Sequence, residues 1–161
     1  MKTLFTEQQI RDRVKTLALE IGARHSASNG LHLVSILKDS VVFTTDLMRA
    51  LPIATTVNFV FVKSDMLYEI DDVGDKDVLI IDGLVSTGYS LSYIVQEHKL
   101  RPRPPRSIET VALVNQPSRR LAYVQVDYSL FTVDMHKRVA GYGIDHEEHY
   151  RELPHIVSME K

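Results

Sequence analysis

The chain has 161 residues, the length of one ordinary domain, and 44% of them are hydrophobic, enough for a packed core. Its net charge of -2 and pI near 6.4 supply no basic excess for gripping nucleic-acid phosphates. With no cysteine in the chain, disulfides, thiolate catalysis and cysteine-ligated zinc are excluded. No signal peptide is read after Lys2, and no apolar run approaches the roughly 18 residues a membrane span requires. The expectation is a cytoplasmic protein, a single domain over residues 1–161, that binds neither nucleic acid nor membrane.

Thr6-Glu-Gln-Gln9 has the form of a capping box. Ile10, Val14, Leu17, Ala18 and Ile21 follow at helical spacing, with Gly22 as the expected stop. Asn29-Gly30 marks a turn, and the short apolar run 31–37 reads as a buried strand. Residues 41–51 fit a one-sided helix ended by Pro52; on it Val41, Phe43, Leu47 and Met48 are expected in the core or at a subunit interface. Residues 55–62, rich in β-branched and aromatic side chains, read as a strand, and 71–77 as a charged loop. The most apolar run, 78–81, reads as a central parallel strand covered on both faces. A helix follows at 89–98.

Arg101-Pro-Arg-Pro-Pro-Arg106 suits neither helix nor central strand and reads as a surface connection to a strand at 110–114. A strand at 128–133 and a polar helix around 145–153 complete the chain. His146 and His149 read as part of that helix's solvated face rather than as metal ligands. Strands alternating with helices imply an α/β fold with a mainly parallel sheet, whose ligands bind beyond the carboxyl ends of the strands. The loops after Leu37, Ile81 and Val114 are the places to search.

The strongest local signal is Val78-Leu-Ile-Ile-Asp-Gly-Leu-Val-Ser-Thr-Gly-Tyr-Ser90. An apolar strand ends in an acid, Asp82, and a loop of small and hydroxyl residues leads into a helix. Backbone N–H groups and the dipole at a helix N-terminus attract an anion. Ser86, Thr87 and Ser90 add hydroxyl donors, and Gly88 lets a phosphate approach the backbone. An ordinary strand–turn–helix with a polar cap fits the same residues equally well.

This segment resembles the phosphoribosyl-pyrophosphate signature of the type I phosphoribosyltransferases, departing from it at Gly83, where a second acid is expected. Leu33-Val-Ser-Ile-Leu-Lys-Asp-Ser40 and the helix after it resemble the pyrophosphate loop of the hypoxanthine-type enzymes. Leu113-Val-Asn-Gln-Pro-Ser-Arg-Arg120 resembles the purine-proximal strand and loop. Val139-Ala-Gly-Tyr-Gly-Ile-Asp145 and His149-Tyr-Arg-Glu-Leu-Pro154 resemble the C-terminal segment. The resemblance implies a twisted, mainly parallel sheet flanked by helices, with a small C-terminal or hood extension.

Carried over residue by residue, it implies pyrophosphate binding by Lys38 and Arg119, with Asp39 where glycine is usual, in a loop that holds a cis peptide in the family. Asp82 matches the first ribose-binding acid and, with Asp145, the magnesium side. Ser86, Thr87, Gly88, Tyr89 and Ser90 form the 5′-phosphate cradle, and Ser86 stands where these enzymes keep a catalytic aspartate. Gln116, in place of a purine-reading lysine, Arg138, in place of a stacking aromatic, and Val139 face the base. Lys63-Ser-Asp-Met-Leu-Tyr-Glu-Ile70 is a shortened counterpart of the family's mobile lid.

The function so implied is magnesium-dependent transfer of phosphoribosyl from phosphoribosyl pyrophosphate to a purine base, by a homodimer or homotetramer. The alternative is a catalytically impaired homologue that binds nucleotides as a regulator. Restoring acids (Gly83→Asp with Ser86→Asp) is expected to raise turnover.

Overall fold

The computed structural model describes residues 1–63, 66–68, 72–133 and 138–159. In chain order these form β1 (Lys2–Phe5), α1 (Glu7–Arg24), β2 (Leu31–Ile36), α2 (Val41–Ala50), β3 (Thr55–Lys63), β4 (Met66–Tyr68), β5 (Asp77–Val85) and α3 (Tyr89–Lys99). Then come β6 (Ser107–Asn115), a 3-10 turn (Pro117–Arg119), β7 (Tyr128–Thr132), β8 (Arg138–Ala140) and β9 (Ile156–Met159). The main sheet has the order β4-β3-β2-β5-β6-β7; all its pairings are parallel except the β3–β4 hairpin.

Both faces of the central strands are buried, which is why their sequence runs apolar instead of alternating. Leu33, Leu79, Ile81 and Leu113 pack beneath α1 and α2 with Ile10, Leu17, Phe43 and Leu47. Val34, Val78, Ile80 and Ala112 face the other way, onto Leu91 and Ile94 of α3. Phe43 and Leu47 therefore belong to the core, whereas Val41 is exposed. A second, antiparallel sheet β1-β9-β8 supplies the expected extension, and it enlists the N-terminal strand as well as the C-terminal ones. Phe5 of β1 stacks on Phe131 of β7 at 3.8 Å and ties the two sheets together.

The capping box forms as read: Gln9 N–H donates to Thr6 Oγ1 at 3.3 Å, and Thr6 N–H to Gln9 Oε1 at 2.9 Å. Gly22 does not stop the helix, which runs to Arg24. A Cβ at Gly22 would lie 2.5 Å from the Pro52 ring, so this glycine admits the end of α2 against α1. The polar helix expected around 145–153 is absent. Glu147, Glu148 and Tyr150 have φ of 55°, 65° and 73°, which a right-handed helix forbids. Asp145 Oδ2 instead accepts from Glu148 N–H at 2.7 Å, and the backbones of His146 and His149 pair across a turn.

The amino ends of the strands are fastened by charge. Arg106 and Ser107 both donate to Asp77, and Arg106 holds that carboxyl down to about 2 against the opposing effect of burial. Arg103 pairs with Asp72 and Asp75 at 2.9 Å each, so the proline-arginine stretch is a surface connection that closes over the 72–77 loop. Glu109 accepts from Tyr128 at 3.1 Å and bonds His25 at 2.9 Å, pinning the end of α1 to β6 and β7. Among the described residues no helix is long and apolar enough to cross a membrane.

Candidate active site

Two loops meet at the carboxyl edge of the sheet. The first follows β2 and contains a cis peptide between Leu37 and Lys38. Its end is fixed by hydroxyls: Ser35 Oγ bonds Ser40 Oγ at 2.8 Å and Thr44 Oγ1 at 2.7 Å, and Ser40 also donates to the carbonyl of Ile36. The second follows β5, whose pairing continues past Asp82 to Val85. Gly88 then turns the chain into α3 with φ of 84°, a conformation glycine reaches without steric cost.

The turn is braced from behind by the loop after β6. Leu121 and Ala122 N–H groups both donate to the Thr87 carbonyl at 3.0 Å. Arg120 bonds Asn115 at 2.5 Å, and its Nη1 lies 2.9 Å from where a Gly88 Cβ would stand. That nitrogen is buried with no hydrogen-bond partner among the described residues.

Between the two loops is a cleft of about 220 Å³, lined by Lys38, Asp39, Asp82 and the 84–91 segment. Asp82 is 8% exposed. Burial pushes its carboxyl up to about 7, helped by the neighbouring Asp39 charge and opposed by the N–H groups of Leu84 and Gly83. A buried acid that no cation pairs directly among the described residues, with only the field of Arg120 easing its charge, and that faces a cleft ending in a helix N-terminus, is a group held ready for chemistry or a ligand.

Behind Asp39, on the side of the wider groove between α1 and α2, stands Arg151. Its Nη1 donates to Asp39 Oδ1 and to the Gly143 carbonyl at 2.8 Å, while Nη2 reaches Asp145 Oδ1 at 3.1 Å and Glu148 Oε2 at 3.4 Å. Lys38 Nζ is 2.9 Å from the same Glu148 oxygen. Burial raises the Asp39 carboxyl above its usual range; Arg151 opposes the rise and Asp145 adds to it. Lys38 and Arg151 hold Glu148 below its usual range.

A wider groove, about 920 Å³, lies between α1, α2 and the segment around Tyr142 and Leu153. Ile10, Val14, Leu19 and Val42 line it, with no phosphate-binding turn, so size does not make it the reacting centre.

The phosphoribosyl transferase domain family matches residues 1–147 of this chain. The chain belongs to this family. Hypoxanthine-guanine phosphoribosyltransferase of Mycobacterium avium is 34% identical, over 98% of this chain and 84% of that protein. The enzyme of the same name from Dictyostelium discoideum is 31% identical, over 99% of this chain and 96% of that one. Among solved structures, the hypoxanthine phosphoribosyltransferase of Trypanosoma cruzi superposes with a TM-score of 0.91 at 32% identity, covering 98% of this chain and 95% of that chain. The same enzyme has been solved with its product IMP, and there the TM-score is 0.89 at 31% identity, covering 99% of this chain and 94% of that chain.

Set on this phosphoribosyltransferase fold, Lys38, Asp39, Asp82, Ser86, Thr87, Gly88, Tyr89 and Ser90 share one cleft, as the resemblance implies. Asp145 joins its rim through Arg151. Gln116, Arg119, Arg138 and Val139 do not line it: Gln116 is fully buried before the 3-10 turn, Val139 is core, and Arg138 is exposed on β8. Lys63 ends β3 and residues 66–68 form β4; residues 64, 65, 69 and 70 of the expected lid lie outside the described residues.

Sequence reasoning passed over Arg151, Arg120 and Glu148. Arg151 stood inside a quoted block but was assigned to a solvated helix, which hid it. The acid-restoring expectation also needs correction at Gly83. A Cβ there would stand 2.5 Å from the backbone carbonyl carbon and oxygen of Asp39, so Gly83→Asp alone collides with the loop it was meant to assist.

Proposed function

We propose that this phosphoribosyltransferase moves the phosphoribosyl group of phosphoribosyl pyrophosphate to a ring nitrogen of a purine base, forming a nucleotide and releasing pyrophosphate. The observation that carries the proposal is the meeting of the Lys38 loop and the 86–90 turn across one cleft, with Asp82 between them. That spacing gives one pocket two anion-binding ends and an acid in the middle, which is the charge pattern of phosphoribosyl pyrophosphate. The names of the relatives in Mycobacterium and Dictyostelium support hypoxanthine and guanine as acceptors.

Residues 86–90 hold the 5′-phosphate through N–H groups and hydroxyls at the start of α3. Lys38 and Arg151 take the pyrophosphate end, exchanging their contacts with Glu148 for phosphate oxygens. Arg119, Gln116, Arg138 and Val139 are proposed pyrophosphate-side and base-side residues on the strength of the resemblance. As the C–O bond to pyrophosphate breaks, the nitrogen of the base closes on the same carbon and its N–H proton passes to solvent or to the leaving pyrophosphate, so that catalysis is chiefly positioning and charge stabilisation. Ser86 orients the base; a serine hydroxyl does not titrate near neutral pH.

Among the described residues no three acidic or histidine side chains form a ready-made metal cage. Asp82 and Asp145 nevertheless fit magnesium, which uses oxygen donors and is ordinarily held by one or two carboxylates together with substrate phosphates. Bound there, magnesium would neutralise charge on the leaving pyrophosphate. Exposed Val41, Phe59 and Phe61 support a homodimer or homotetramer. The reading as a nucleotide-binding regulator gains no observation from the cleft.

Purified protein supplied with phosphoribosyl pyrophosphate, magnesium and, in turn, hypoxanthine, guanine, xanthine and adenine tests the proposal. Chromatography should show a nucleoside monophosphate from at least one 6-oxopurine, lost in Lys38→Ala. No nucleotide from any base, with the protein folded, rejects it.

A further inference from the structure

Two departures from the family pattern touch each other. Asp39 stands where the resemblance expects glycine, and Gly83 where it expects an acid. In space the two residues are in contact: a Cβ at Gly83 would lie 2.7 Å from the Asp39 Cβ and 2.5 Å from its carbonyl carbon. The backbone carbonyl of residue 39 and the Asp39 Cβ together thus occupy the volume a side chain at 83 would need. Its carboxylate is one-third exposed, at 33%, on the rim of the cleft that also holds Asp82. Arg151 grips it with one nitrogen and Asp145 with the other, so Asp39 and Asp145 flank a single guanidinium.

We infer that Asp39 is the second acid of this site, delivered by the loop after β2 in place of the end of β5. Asp39 directs its carboxylate toward the divalent cation that accompanies pyrophosphate, beside Asp82 and Asp145. The inference rests on the reading of the cleft as a phosphoribosyl-pyrophosphate site. Its physical basis is twofold. Asp39, Asp145 and Glu148 converge on Arg151 and Lys38, so three carboxylates face two cations and leave excess negative charge, which a divalent cation with oxygen preference neutralises. And an acid lost from one wall is matched by an acid gained on the wall in contact with it, which leaves the site's charge unchanged while requiring glycine at 83.

The test is binding of Mn²⁺ with inorganic pyrophosphate, followed by electron paramagnetic resonance, alongside turnover with hypoxanthine. Two variants are compared with the wild type: Asp39→Asn and Asp39→Gly. Asp39→Asn keeps the shape and removes the charge, and should weaken Mn²⁺–pyrophosphate binding about ten- to a hundredfold. Asp39→Gly, which removes the carboxylate together with its charge, should weaken it by a similar factor. Asp39→Asn or Asp39→Gly that binds Mn²⁺–pyrophosphate as tightly as the wild type overturns the inference while the wild type's own turnover keeps the functional reading intact. A wild type that neither binds Mn²⁺–pyrophosphate nor turns over overturns both.

Discussion

Strand β5 begins with Asp77 and ends its apolar run with Asp82, and the two carboxylates are about equally hidden, each at 8% exposure. Their surroundings pull them in opposite directions. Asp77 receives Arg106 and Ser107 and is held down to about 2. Asp82 receives backbone N–H groups, lies beside another acid and is pushed up to about 7. Burial by itself therefore says little about what an acid is for. Asp77, whose charge Arg106 answers, fastens the fold, whereas Asp82, which no cation pairs directly among the described residues, is placed at a cleft to meet what binds there. At the amino ends Arg103 and Arg106 pair with acids of the 72–77 loop, while at the carboxyl ends the loop after β2 and the Gly88 turn enclose the cleft.

Changes at either end test this division. The largest effect belongs to Gly88→Val. Its Cβ would meet Arg120 Cδ at 2.8 Å and the Ala122 carbonyl at 3.0 Å, at φ of 84°, so nucleotide binding by calorimetry should fall on the order of a hundredfold or more. Arg151→Ala comes next. It removes the common partner of Asp39 and Asp145 and should cost about 2 kcal/mol of transition-state stabilisation, roughly thirtyfold in kcat/KM. Asp77→Asn should leave kcat/KM alone and lower unfolding free energy by about 1–2 kcal/mol in urea titrations, the half-exposed Arg106 limiting the loss.

The sign of the acid dependence follows from the direction of the Asp77 shift. Its pKa is lower folded than unfolded, so its contribution is fully present above the ordinary value of 3.8 and disappears as pH falls toward about 2. The difference in stability between wild type and Asp77→Asn should shrink across that window. Smallest is Thr6→Ala, which removes the cap of α1 far from the cleft. It should cost about 1 kcal/mol of stability with no change in turnover.

What the sequence discloses depends on how local each feature is. The 82–90 cradle is contiguous, its apolar strand and Thr-Gly turn lie side by side, and it was readable directly. The Thr6 cap was readable for the same reason. The charged cluster beside the cleft joins residues 38 and 39 to 145, 148 and 151, which no local pattern connects. The 145–153 segment misleads because its polar composition suits a helix, while ion pairs to Asp39 and an Asp145 side-chain turn hold it in left-handed conformations. Gly22 misleads similarly: only packing reveals that Pro52 needs its missing Cβ. Strands β1, β8 and β9 are three or four residues long and become strands by pairing with each other, so their sequence carries little signal.

The most direct test of the account is nucleotide formation from phosphoribosyl pyrophosphate, magnesium and hypoxanthine by wild type, Asp77→Asn and Asp82→Asn, each paired with a thermal melt. The expected result is turnover by the wild type and by Asp77→Asn, the latter with a lowered Tm, and kcat/KM reduced roughly tenfold or more in Asp82→Asn with its Tm preserved. Full activity in Asp82→Asn, or loss of activity confined to Asp77→Asn, would contradict the assignment of the two ends.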